Sequence, residues 1–379
     1  MRKKDKIWST LLLSVSLLTL VSCGSNTQDS KDQDVVPVTI RTVSMFGGTD
    51  PNAVVYEKLR EIFQTQYPYI TVDDESRVSD EEWKSAVAAD FAAGNEPDVL
   101  QFFTDATANQ LIAMDKFVSI EEIRQEYPDY AADTYEWALE QVANRDGVCR
   151  AVPTTGFWEG LYCNKDIFEQ YKVPLPTDWT SFAYAIETLE SKGVIPIACS
   201  LTNVPHYWME YFLLYSGGVE NYQKDFDTVS QEWVDGLRQF HTLRGMLAFP
   251  RNTDTIDNDY ARTLFINKKA AMILEGNWFF SAVEDQENTV VVPFPGLENS
   301  PVHETVMVGM TSGFYITRRA WNDPDKRDAA VKYVMAQTSK EAVQRYWEHG
   351  GGITTTATAV EDDMDRTPLA KSARKYVES

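Results

Sequence analysis

Three observations predict an α/β fold in two lobes, joined by crossings and open at a cleft between them. The chain has 379 residues, enough for two domains. Val99 to Phe103, introduced by Pro97-Asp98, is a mostly apolar run of the kind found in parallel sheets, and segments with helical periodicity lie between such runs. The stretch Ala151 to Asp166, AVPTTGFWEGLYCNKD, reads as a strand, a joint, an aromatic pair with an acid and a second strand. A residue before proline is held extended, so Val152-Pro153 ends the first strand, and Thr154, Thr155 and Gly156 suit a crossing. Phe157, Trp158 and Glu159 would then face the cleft, and Asn164-Lys165-Asp166 starts a helix.

Composition narrows the function. Hydrophobic residues at 43% suffice for real cores, and the net charge of −22 opposes nucleic-acid binding, which needs clustered Lys and Arg. The same charge keeps an exposed protein soluble. With four cysteines, four histidines, no CxxC and no HExxH, neither a structural metal nor a cofactor is expected.

In chain order, Arg2, Lys3, Lys4 and Lys6 precede the apolar run Leu11 to Val21, too short to span a bilayer. This is a signal peptide over residues 1–22. It ends in Leu20-Val21-Ser22-Cys23, which looks like a bacterial lipobox with Cys23 as the lipidated residue. Residues 23–36 are polar and read as a tether from the membrane.

Val38 to Val43 is a strand. After Met45-Phe46-Gly47-Gly48, Asp50 and Pro51 suit a helix start, and Val54, Val55, Leu59, Ile62 and Phe63 mark its apolar face. The glycine turn is either a plain turn or a ligand-facing one; it lacks the ending of a phosphate loop. Ser79 to Glu82 reads as a capping box for a helix through Trp83, Val87 and Phe91 to Gly94. The strand Val99–Phe103 runs into Thr104-Asp105, where Asp105 is either a ligand contact or the cap of the next helix. Thr177 or Asp178 caps a helix bearing Trp179, Phe182, Ile186 and Leu189. Val194 to Cys199 is a strand, followed by Pro205-His206-Tyr207-Trp208, whose aromatics are either core or pocket lining. A helix over 259–267 leads to a strand at Ala270–Leu274, and Asn277-Trp278 lie just past its end. Val290–Phe294 and Val306–Met310 read as strands, and Thr311-Ser312-Gly313 opens a second crossing. Helices from Asp323-Pro324 and Ser339 end at Gly350-Gly351-Gly352, and the remaining residues are polar.

The aromatics after candidate strands are Phe46, Phe157, Trp158, Tyr207, Trp208 and Trp278. Asp50, Asp105, Glu159, His206, Glu210 and Asn277 stand beside them. Flat rings with carboxylate and amide acceptors suit a sugar, whose C–H face stacks and whose hydroxyls donate. The same parts describe a surface glycoside hydrolase using Glu159 with Asp105 or Glu210. No GxSxG elbow is present.

Several phrases together carry a family resemblance. They are the lipobox, Asn95-Glu96-Pro97-Asp98-Val99, Leu161-Tyr162-Cys163-Asn164-Lys165-Asp166, Thr177-Asp178-Trp179-Thr180-Ser181-Phe182, Ile195-Pro196-Ile197-Ala198, and Lys268-Lys269-Ala270-Ala271-Met272 with Gly276-Asn277-Trp278. The chain resembles the sugar-binding lipoproteins of bacterial ABC importers, the extracellular solute-binding family that includes maltose-binding protein. The resemblance implies a type II periplasmic-binding-protein-like fold, each lobe a mixed sheet flanked by helices. Residues 37–152 with about 310–348 would form the first lobe, and 153–309 with about 349–379 the second. It implies a monomeric, non-enzymatic receptor, tethered outside the cytoplasm, that closes on a carbohydrate and delivers it to permease subunits, or else a sensor lipoprotein. Thr104, Asp105, Phe157 to Glu159, His206 to Trp208, Asn277, Trp278 and Ser312, with Phe46 and Asp50, are the expected ligand-binding residues. Two departures from the family stand out: Cys163 replaces a usual Tyr, making Cys149 and Cys163 a candidate pair, and the chain stops at Ser379, where relatives continue, so a shortened second lobe is expected.

Overall fold

A computed structural model describes residues 36–48, 50–222, 228–297, 299–303, 305–357 and 367–378. The signal sequence, Cys23 and the tether to residue 35 lie outside the described residues. The strands are β1 (Val38–Ser44), β2 (Ile70–Asp74), β3 (Val99–Phe103), β4 (Ala151–Val152), β5 (Thr155–Asn164), β6 (Ile195–Ala198), β7 (Ala270–Gly276), β8 (Thr289–Val292), β9 (Met307–Gly309), β10 (Ser312–Ile316) and β11 (Ile353–Thr354). They make two mixed sheets, each flanked by helices.

The first sheet has the order β2-β1-β3-β10-β4. Its first three strands are parallel, and β10 runs antiparallel to both β3 and β4. The second has the order β11-β5-β7-β6, and β5 also pairs with β8 and β9. β5 is therefore the spine of that sheet. The chain leaves the first sheet at Pro153-Thr154, returns at Met310-Thr311, and crosses again at Gly351-Gly352 to place β11 beside β5. The extended geometry before Pro153 matches the sequence reading.

Local details correct several expectations. Helix Ala53–Gln66 starts later than Asp50: Asn52 is its cap residue, and Asp50 Oδ1 accepts from the Asn52 N–H at 2.8 Å. Its buried stripe is Val55, Tyr56, Leu59 and Phe63, whereas Val54 and Ile62 are exposed. A face drawn through Val54 and Ile62 in place of Tyr56 is turned toward solvent. Helix Glu81–Ala93 is capped by Asp80, whose Oδ1 accepts from Trp83 N at 2.7 Å, not by its neighbour Ser79. Asp178 caps helix Trp179–Ser191 with Ser181 completing the box.

Cys149 and Cys163 are free thiols. Cys163 is buried in the core of the second sheet, while Cys149 packs on the core of the first. The C-terminal region also departs from a merely polar tail. Helix Pro368–Glu378 packs on β8, with Leu369 and Ala373 buried and Ser372 Oγ accepting from Val291 N at 2.9 Å.

Candidate functional site

The site grows from the ends of β5 and β7. Side chains alternate along a strand, so Phe157 and Glu159 share one face of β5, and Trp158 takes the other. Gly309 of β9 lies opposite Phe157 in register; a Cβ there would come 2.9 Å from the ring. Its absence lets the Phe157 ring lie over β9. Trp278 follows β7, and its ring centroid stands 5.9 Å from that of Phe157 at 49°. Tyr207, in the first turn of helix Pro205–Gly217, stands 5.8 Å from Trp278 at 42°. His206 meets Tyr207 edge-on at 4.5 Å. Phe157, Tyr207 and Trp278 are each half-buried and form a tilted fan.

Carboxylates stand beside the fan. Burial, reinforced by the charges of Glu210 and Glu275, pushes the Glu159 carboxyl well above the usual glutamate range. Burial, together with the charge of Asp105, pushes Glu210 up to about 7. Asp105 follows β3 in the first sheet, whereas Glu210 belongs to a helix over the second, so the two sheets present acid to each other here. Asp50 is also raised, to about 6, chiefly by burial, while Arg262 from the second-sheet side pulls it down. Desolvation favours the neutral form of each acid.

Thr104 and Asp105 line a cavity of about 370 Å³ with Ala106, Asn109, Gln141, Ala143, Arg145, Met310 and Thr311. Asp105 also caps the turn after β3, accepting from Thr107 N at 2.8 Å, which is the cap reading of this residue. Ser312 begins β10 opposite Phe103 and is half-buried.

Four expected site residues are placed elsewhere. Phe46 packs into the first core against Tyr56 and Tyr346. Trp208 packs against Phe249 and Phe294 in the second. Trp158 is 1% exposed, stacks on Tyr162 and donates from Nε1 to Gly351 O at 2.7 Å. Asn277 spends its amide on backbone, accepting from Trp158 N at 3.2 Å and donating to Gly350 O at 3.1 Å. Trp158 and Asn277 thus fasten the crossings. Glu210, which the sequence sets beside the aromatics but not among the expected ligand-binding residues, stands next to the fan, and the pair of half-buried Arg262 with buried Glu275 had no place in the expected site; an acid at the end of the apolar run Ala270–Leu274 was the available signal for Glu275. Among the described residues no group of His, Cys, Asp and Glu is arranged to hold a metal ion.

Comparison with known proteins places this arrangement in context. Residues 58–372 match the model of a family described as bacterial extracellular solute-binding protein. The multiple sugar-binding protein of Streptococcus mutans is 24% identical over 239 residues, 59% of this chain. That stretch spans about half, 55%, of the relative's length. A chitin oligosaccharide binding protein of known structure is 18% identical, with a TM-score of 0.75 over 90% of this chain and 86% of that one. A maltose-bound protein of T. maritima is 21% identical, with a TM-score of 0.73 over 90% and 86%. These likenesses show a shared two-sheet fold of type II.

Proposed function

This chain belongs to the bacterial extracellular solute-binding protein family, and we propose that it captures a sugar or oligosaccharide and hands it to an ABC permease. The family implies a place outside the cytoplasm. The observation that carries the ligand class is the fan of Phe157, Tyr207 and Trp278 beside Glu159 and Glu210. Tilted aromatic faces stack on the C–H face of a pyranose, and carboxyl groups bind its hydroxyls. Relatives named for sugars support the same class.

The lobes in this proposal are 37–152 with about 310–348 and 153–309 with about 349–379. Asp105 and Asp50 of one meet the ring fan of the other, and closing excludes water from the ligand between them. Ligand shifts an open–closed equilibrium by its differential affinity for the closed state. Cys23 carries the lipid anchor, the receptor acts as a monomer, and it uses neither a cofactor nor catalysis.

Thermal unfolding against a panel of mono- and oligosaccharides tests this. A native-state ligand at 100 times its Kd stabilises by about 2.7 kcal/mol. We expect a raised Tm with at least one sugar, no product in the tube, and loss of the response in Trp278→Ala. A sound transition that no sugar moves, or turnover of the sugar, overturns the reading.

A further inference from the structure

The orientation of Trp278 is fixed from behind. Its Nε1 donates to Glu275 Oε2 at 2.8 Å. Glu275 is fully buried, and its other bonds come from Asn258 Nδ2 to Oε1 at 2.8 Å, Arg262 Nε to Oε1 at 2.8 Å and Arg262 Nη2 to Oε2 at 3.2 Å. A carboxylate offers about four lone-pair sites, so these four donors fill it. Glu275 has neither the exposure nor the acceptor capacity to touch a ligand. Arg262 is itself held, by Asp259 Oδ1 at 3.3 Å and over the Phe279 ring at 5.8 Å. Between acid and indole stands Gly276, where a Cβ would come within 2.4–2.5 Å of the Trp278 six-membered ring. The indole therefore folds back against its own backbone and is pinned at its nitrogen.

We propose that Glu275 is the positioning residue for the Trp278 face that receives the sugar, with Arg262 and Gly276 as its supports. This rests on the reading that Trp278 meets the ligand, and it goes beyond that reading by assigning ligand affinity to a group the ligand never touches. A ring whose plane is set before binding loses little freedom when the sugar stacks on it. The charge-assisted bond to Nε1 supplies that order. In Glu275→Gln the new amide N–H₂ cannot accept, so one oxygen is left for donors from three residues.

Two measurements test the proposal. The first needs no ligand: the near-ultraviolet circular dichroism of Trp278, taken as wild type minus Trp278→Phe, is compared with Glu275→Gln minus Glu275→Gln/Trp278→Phe. We expect the Trp278 contribution to fall to less than about half; an unchanged contribution overturns the proposal. If Glu275→Gln fails to fold, Arg262→Leu/Glu275→Leu takes its place, because apolar replacement of a whole buried ion pair is commonly tolerated. The second measurement is calorimetric titration with maltotriose in the same variants. Glu275→Gln is expected to weaken binding about tenfold in the wild-type background, from the loss of a bond to a charged group, and to change it little in Trp278→Phe. Equal losses in both backgrounds overturn the proposal, since Glu275 would then act on the fold and not through the ring. Failure of wild type to bind any sugar counts against the proposed function, and the ligand-free measurement still decides the role of Glu275.

Discussion

The buried acids of the two sheets serve different ends. In the first sheet Asp98, 1% exposed, accepts from Arg41 N and from Lys326 Nζ, each at 2.8 Å, and Glu96 meets Lys116 at 2.9 Å. These pairs join elements of one lobe. At the end of the second sheet Glu275 is spent on Arg262 and Trp278, while Glu159 and Glu210 carry carboxyls raised by burial beside three half-buried rings. Desolvation raises the free energy of a charged group unless a partner or a ligand compensates it. The contrast teaches that acids paired within one lobe are matched by cations of the fold, whereas Glu159 and Glu210, raised by burial beside half-buried rings, stand where the proposed site lies.

The strongest way to break this division is to compare two tryptophans. Trp158→Ala removes a core side chain and is expected to cost about 3–5 kcal/mol in urea unfolding. Trp278→Ala is expected to cost less than half as much and to abolish the thermal response to sugar. Equal stability losses would erase the distinction between core and rim. Asn277→Ala strands the backbone groups of Trp158 and Gly350, and about 1–3 kcal/mol should be lost by the same measurement, with the ring fan retained.

Titration sharpens the comparison further. Glu210 is held at about 7 in the folded chain, against 4.5 for an ordinary glutamate. The folded state keeps a proton that the unfolded chain releases between these values. Its stabilising effect is complete below the lower value and is lost as pH rises to the upper one. Glu210→Gln should therefore remove a fall in stability across that window, at most about 1.4 kcal/mol per pH unit, seen by denaturant unfolding at several pH values. An unaltered slope would place Glu210 among the structural acids. The smallest effect concerns a helix cap: Asp80→Ala should cost about 1 kcal/mol in unfolding free energy and Ser79→Ala within about 0.5 kcal/mol.

Much of the fold was legible because its signals are local. Val152-Pro153 marks a crossing by backbone sterics, Asp323-Pro324 opens a helix, and the apolar run Val99–Phe103 is a strand. Ser79 and Asp80 are adjacent capping types, so the pattern S-x-x-E pointed one residue early. The site was less legible. Trp158 and Trp278 both accompany strands, but both faces of β5 are covered, and the group that claims Trp158 Nε1 is Gly351 O, 193 positions away. Tyr207 and Trp208 are neighbours on one helix, and only the packing of Phe249 and Phe294 assigns the second to the core. Composition named the residue types of the cleft; long-range packing chose which of them face it.

The spine of the second sheet also bears on how the chain is made. β5 is complete at residue 164, yet its partners are β7, β8, β9 and β11, the last at Ile353–Thr354. Pairings this distant in sequence form slowly, because each must close a long loop before any bond compensates it. During synthesis one edge of β5 stays open until β8 and β9 have emerged, and its first two residues, Thr155 and Gly156, wait for β11. Completion of the second sheet therefore waits for residue 354, and until then the unpaired end of β5 is a strand edge open to non-native partners.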